Sequence, residues 1–173
     1  WATLGYFPVA AWVWGGGWIM SLGETFGFSA SVIDYAGGTA VHINAGAAAL
    51  ALALVLGKRS GFQKGIQKPH NVPLVLLGAA ILWFGWFGFN AGAEWLNGLA
   101  NTGLIVLNTI GATAAGVLGW IVVEKVKDGK ATSVGAASGA VTGLVAITPA
   151  CANLTPGWAL LLGLIAGIAC AYA

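Results

Sequence analysis

The sequence predicts an all-α polytopic membrane protein, and three observations carry that prediction. Of 173 residues, 58% are hydrophobic and only 7% charged, against roughly 25% charged in an ordinary soluble domain. The apolar residues gather into about six runs that meet or approach the roughly 20 residues a helix needs to cross a bilayer. The basic residues sit in only two of the loops between those runs. A water-soluble globule is excluded, because seven Lys and Arg with five Asp and Glu cannot cover a surface that water must wet. Lipid is therefore the solvent for most of the chain.

The first run, 1–22, opens on Trp1 and contains Pro8. The second, 37–57, carries His42 and ends at the turn-forming Lys58-Arg59-Ser60-Gly61. The third, 73–93, begins after Pro69 at Pro73 and holds Trp83, Phe84, Trp86, Phe87 and Phe89. The fourth, 98–123, runs into a loop 125–130 built around Asp128-Gly129. The fifth, 132–150, repeats Gly135, Gly139 and Gly143 at every fourth residue, and the sixth, 157–173, repeats the pattern at Gly163 and Gly167. Stripes of this spacing let helix backbones approach, so they read either as packing faces or as pore lining. The chain starts without Met and stops at Ala173 inside an apolar run. It is expected to be part of a longer protein, with 1–173 a single partial transmembrane domain.

Lys58, Arg59, Lys64 and Lys68 follow the second run, and Lys125, Lys127 and Lys130 follow the fourth. Loops of equal parity lie on one side, and the positive-inside rule makes that side cytoplasmic. Loops 58–68 and 125–130 are thus expected inside. Glu24 with Asp34, Glu94, and 149–156 are expected outside, in an integral protein of the cell (inner or plasma) membrane.

His42 is the titratable residue placed clearly within an apolar run. Ionisable groups at membrane depth are costly and face a bundle interior or a water-filled cavity, so His42 is a candidate for function. The other reading is an imidazole hydrogen-bonded to a backbone carbonyl for packing. One His without a nearby Cys, Glu or second His supplies too few ligands for a metal, and no cofactor is expected. Asp34, at the outer mouth of the same run, reads as a helix cap and as an anionic group that concentrates cations at a vestibule, two readings that can coexist. Trp12, Trp14 and Trp18 are either interfacial anchors or a face that attracts a small cation. Cys151 and Cys170 read as small hydrophobes. No metal-binding His-Glu-x-x-His motif or paired intramembrane carboxylate occurs, so an enzyme is not expected.

The run Asp34-Tyr-Ala-Gly-Gly-Thr-Ala-Val-His42-Ile-Asn44 is followed by Gly57-Lys-Arg59, Lys68-Pro-His-Asn71, Gly85-Trp-Phe-Gly-Phe-Asn-Ala-Gly92 and Thr148-Pro-Ala-Cys151. Together these motifs closely resemble the ammonium transporter family (Amt/Mep/Rh), bacterial type. The resemblance implies helices four to nine of an eleven-helix inverted-repeat protomer, assembled as a homotrimer with one pore per subunit. It implies that Trp14 recruits ammonium by cation–π contact and that Phe89 is one of two stacked rings blocking the pore. It further implies that His42 is the first of a pair of pore histidines, that Trp86 lines the same narrow region, and that Asp34 supports the vestibule.

The implied function is transport of ammonium or ammonia, with methylammonium as an analogue, and deprotonation at the pore histidines. Two alternatives use the same pore: an ammonium sensor and a Rh-like gas channel. Implied partners are membrane lipid and a PII-type regulatory protein at the cytoplasmic face, with no nucleic acid. Ala93 stands where many bacterial members have a Ser whose hydroxyl helps hold the recruited cation, which implies weaker recruitment. Physical reasoning fits: a ring of phenyl groups excludes hydrated ions, because stripping water without replacement ligands costs many kcal/mol. Ammonium, unlike potassium, can shed a proton and pass as ammonia.

Overall fold

The computed structural model describes residues 1–59, 61–62 and 69–173; the expectations placed on Lys64 and Lys68 lie outside the described residues. Among those residues every regular element is helical. The chain forms two compact units, Trp1–His70 and Asn71–Ala173. Among the described residues, four stretches are long and apolar enough to cross a membrane, Gly38–Leu56, Val72–Asn97, Thr102–Asp128 and Ser133–Ala150, and Pro156–Tyr172 is a shorter apolar helix. The protein is thus an integral membrane protein.

In the first unit a π-helical turn at Ala2–Tyr6 runs into α1 (Phe7–Trp14). The sequence reads 1–22 as one span, and here the structure corrects it. Helix stops at Trp14 because Gly15-Gly16-Gly17 follows, with Gly16 at φ 78°, a left-handed conformation that glycine adopts without a Cβ clash. A single turn, α2 (Leu22–Thr25), lies in the connection that follows. A second π-helical turn, Gly38–Ile43, then leads without interruption into α3 (Asn44–Leu56).

The second unit is a bundle. Asn71 caps α4 (Val72–Gly92), its side chain accepting from the Leu74 amide at 3.0 Å. Helix α4 tightens into a 3-10 turn at Ala93–Asn97, and α5 (Thr102–Asp128) follows. Helix α6 (Ser133–Ile147) is capped by Thr132, which accepts from Gly135 at 2.9 Å; a 3-10 turn, Thr148–Ala150, leads on toward α7 (Pro156–Tyr172). The loop expected at 125–130 is partly helical. Lys125 and Lys127 belong to the last turn of α5, where cations meet the negative end of the helix dipole, and Gly129 at φ 79° ends the helix.

The glycine stripes are packing faces. A Cβ on Gly139 would sit 2.8 Å from the Gly116 carbonyl, and one on either Gly143 or Gly163 would run into the Ala112 carbonyl. Ala112 and Gly116 of α5 are therefore closely approached by glycines of both α6 and α7. This close approach lets the three backbones gain dispersion contacts that larger residues would prevent.

Candidate functional site

The candidate residues fall in two groups, one in each unit. In the first, Asp34 is 6% exposed, and its carboxylate accepts from four successive amides: Gly37 at 3.1 Å, Gly38 at 2.5 Å, Thr39 at 2.9 Å and Ala40 at 2.9 Å. These are the donors that a helix start leaves unsatisfied, and a carboxylate there is also favoured by the helix dipole. The carboxylate can serve all four because Gly37, at φ 109°, turns the chain so that the amides converge. These bonds are the capping role that the sequence reading gave Asp34.

The backbone carbonyl of Asp34 also accepts from the indole N–H of Trp14 at 2.7 Å. That bond joins the end of α1 to the loop before the second π turn and fixes the indole while leaving 45% of the residue exposed. Trp14 is therefore part-exposed with its indole N–H already satisfied. Beside it in sequence, Trp12 and Trp18 pack against each other with ring centroids 5.9 Å apart.

His42 is half-buried on the π turn that Asp34 caps. Its amide reaches back five residues to the Gly37 carbonyl at 3.1 Å, while Val41 shares the same acceptor at 2.9 Å. Such wide turns recur at functional sites because they shift side chains off the regular helical register. Asp34 thus organises a hydrogen-bonded piece of chain that runs from the indole N–H of Trp14 to the backbone amide of His42.

In the second unit, Trp86 and Phe89 come together on α4, with ring centroids 5.3 Å apart and planes tilted by 36°. Trp86 is buried, whereas Phe89 is 37% exposed. The indole N–H of Trp86 donates to the Thr148 hydroxyl at 2.9 Å, and that hydroxyl donates to the Leu144 carbonyl at 2.7 Å. One position beyond Phe89, the amide of Asn90 donates to the Thr109 hydroxyl at 3.1 Å, which donates to the Ile105 carbonyl at 2.7 Å.

Sequence reasoning missed these clamps. Thr148 and Asn90 lie inside motifs it singled out, but nothing in the motifs says which side chain meets which. Glu94, placed in an outer loop by the sequence, has no exposed surface; one carboxylate oxygen accepts from the Asn101 amide at 2.8 Å, just before α5 begins. No group of three or more His, Cys, Asp and Glu that could hold a metal ion occurs among the described residues.

The sequence matches the model of the Ammonium Transporter Family over residues 1–173. It is similar to an ammonium transporter of Mycobacterium tuberculosis, with 54% identity over all of this chain and 36% of that protein's length. Among solved structures, Mep2 of Saccharomyces cerevisiae is similar at a TM-score of 0.85 and 38% identity, covering 100% of this chain and 38% of that one. A solved sensor Amt protein is similar at a TM-score of 0.83 and 34% identity, covering 98% of this chain and 42% of that one. The chain spans 36 to 41% of the length of the curated relatives it matches.

Proposed function

Because the chain belongs to the ammonium transporter family along its whole length, we propose that it contributes the recruitment site and part of the pore of a membrane ammonium transporter. The observation that carries this reading is the hydrogen-bonded unit built on Asp34, whose backbone holds Trp14 and whose carboxylate holds the turn bearing His42. Ammonium is attracted to the exposed face of Trp14, a contact worth about 0.5–2 kcal/mol depending on desolvation. Phe89, leaning on Trp86, forms part of the hydrophobic constriction. Ammonium gives up its proton at the pore histidines, of which His42 is the first, and crosses the constriction as ammonia. An imidazole suits this step, because it can accept and return a proton and hydrogen-bond the neutral molecule.

The assembled protein is a homotrimer in the cell membrane with basic loops 58–68 and 125–130 in the cytoplasm, where a PII-type regulator would meet it. Units 1 and 2 belong to one transporter domain in this reading. An ammonium sensor on the same pore is the second reading, favoured by similarity to a solved sensor Amt protein. Both are tested by ammonium-evoked current and methylammonium uptake per folded trimer, with potassium as control. His42→Ala is expected to reduce selective ammonium transport while the trimer still assembles. Normal rate and selectivity in well-folded His42→Ala would leave His42 a packing residue, and ammonium binding without flux in the parent protein would favour the sensor.

A further inference from the structure

Thr148 has no exposed surface, and its single hydroxyl proton is committed to the Leu144 carbonyl at 2.7 Å. The oxygen therefore turns a lone pair toward Trp86, whose indole N–H donates to it at 2.9 Å. A donor held by an acceptor that is itself anchored has little freedom to rotate, so the indole plane is set from the 3-10 turn that follows α6 and not by α4 alone. Phe89, nearly one helical turn further on, rests against that plane at 5.3 Å and is the more exposed ring of the two. Any swing of Trp86 would move the surface on which Phe89 leans.

We infer that Thr148 is a positioning residue for the aromatic constriction, acting on Phe89 through Trp86 and tuning which cations and amines the protein discriminates. The inference rests on the transport reading above. The Asn90–Thr109–Ile105 relay holds the next position of α4 in the same manner, from α5. The 86–90 stretch is thus fastened by two hydroxyls, one on α5 and one on the 3-10 turn that follows α6, and Thr148 is the one bonded to an aromatic side chain. Loosening it should admit the larger methylammonium more readily than ammonium.

The test uses the complete reading frame with Thr148→Val, Thr148→Ser, Trp86→Phe and the double variant Thr148→Val/Trp86→Phe. Valine keeps the volume and removes the hydroxyl, and Trp86→Phe removes the same bond from the other side, which keeps the test available if Thr148→Val folds poorly. The methylammonium-to-ammonium transport ratio per folded trimer is expected to rise about 2- to 13-fold in Thr148→Val, the range set by one net hydrogen bond. Thr148→Ser should restore the parent ratio, and the double variant should go no further than Trp86→Phe, because both changes remove one bond. In parallel, the Trp86 indole 15N resonance, assigned by its loss in Trp86→Phe, should move in Thr148→Val and stay in Thr148→Ser. A resonance that does not move, or one that moves with an unchanged ratio, overturns the positioning role while leaving ammonium transport intact. A parent protein that moves neither amine overturns the transport reading and the inference with it.

Discussion

Four amides on one carboxylate is a large load for a single residue, and it makes Asp34 the most vulnerable position in the first unit. Removing the acceptor in Asp34→Ala strands the amides of Gly37, Gly38, Thr39 and Ala40, three of them in buried residues. Each buried unsatisfied donor costs about 1–3 kcal/mol, so a loss of about 3 kcal/mol or more is expected, read as lower melting temperature and yield of the purified protein. Asp34→Asn keeps the shape and one acceptor oxygen and should fall between the two. An Asp34→Ala protein with parental melting and only weakened ammonium affinity would show instead that the carboxylate acts on the cation. The sequence made the capping role legible, since an Asp before an apolar run is a known helix start. Its other half was not legible: the Trp14 bond goes to a backbone carbonyl twenty residues away, and a carbonyl leaves no trace in the sequence. The bond from Trp86 to Thr148 crosses 62 residues and was hidden for the same reason.

At the scale of elements, α5 is the axis of the second unit, because α6 and α7 approach it on glycines. In Gly143→Ala the new methyl would collide with the Ala112 carbonyl and lie 2.7 Å from Thr113 Cα, backbone atoms that move only if the helices separate. A cost of about 1–3 kcal/mol is expected, typical of overpacking. Gly78 offers the control, since a Cβ there meets nothing within 4 Å; replacing a helical glycine at an open position removes unfolded-chain entropy and should be neutral or stabilising by up to about 1 kcal/mol. Melting of the two variants in detergent separates them, and equal behaviour would mean that the close approach carries no energy. The stripes on α6 and α7 were legible from period-four glycines. The matching face of α5 was not, because there Ala112, Gly116 and Gly119 mix residue types and break the simple period. The end of α1 escaped as well, since hydropathy over 1–22 registers apolar side chains and not the backbone turn that Gly16 takes.

Across the whole molecule, the alternation of charged and uncharged ends has a structural counterpart within the second unit. Lys127, in the last turn of α5, sits over the Tyr172 ring at the end of α7, 5.5 Å from its centroid, and Glu124 accepts from the Thr132 amide at 2.8 Å across the α5–α6 turn. The basic turn and the end of α7 therefore share one end of the bundle. Toward the opposite end, Asn108 donates to the carbonyls of Cys151 and Leu154 at 2.9 and 2.7 Å, tying α5 to the connection between α6 and α7. A bundle with its cations at one end has two possible orientations in a membrane, and basic loops are retained on the cytoplasmic side, where a negative interior also favours each charge by about 2.3 kcal/mol per 100 mV. Single cysteines at positions 130 and 153, in a full-length protein whose Cys151 and Cys170 are replaced by Ala, report that orientation. Position 153 should react with an impermeant maleimide in intact cells, and position 130 only after permeabilisation. Reaction at 130 in intact cells, with 153 protected, would invert the topology of the second unit.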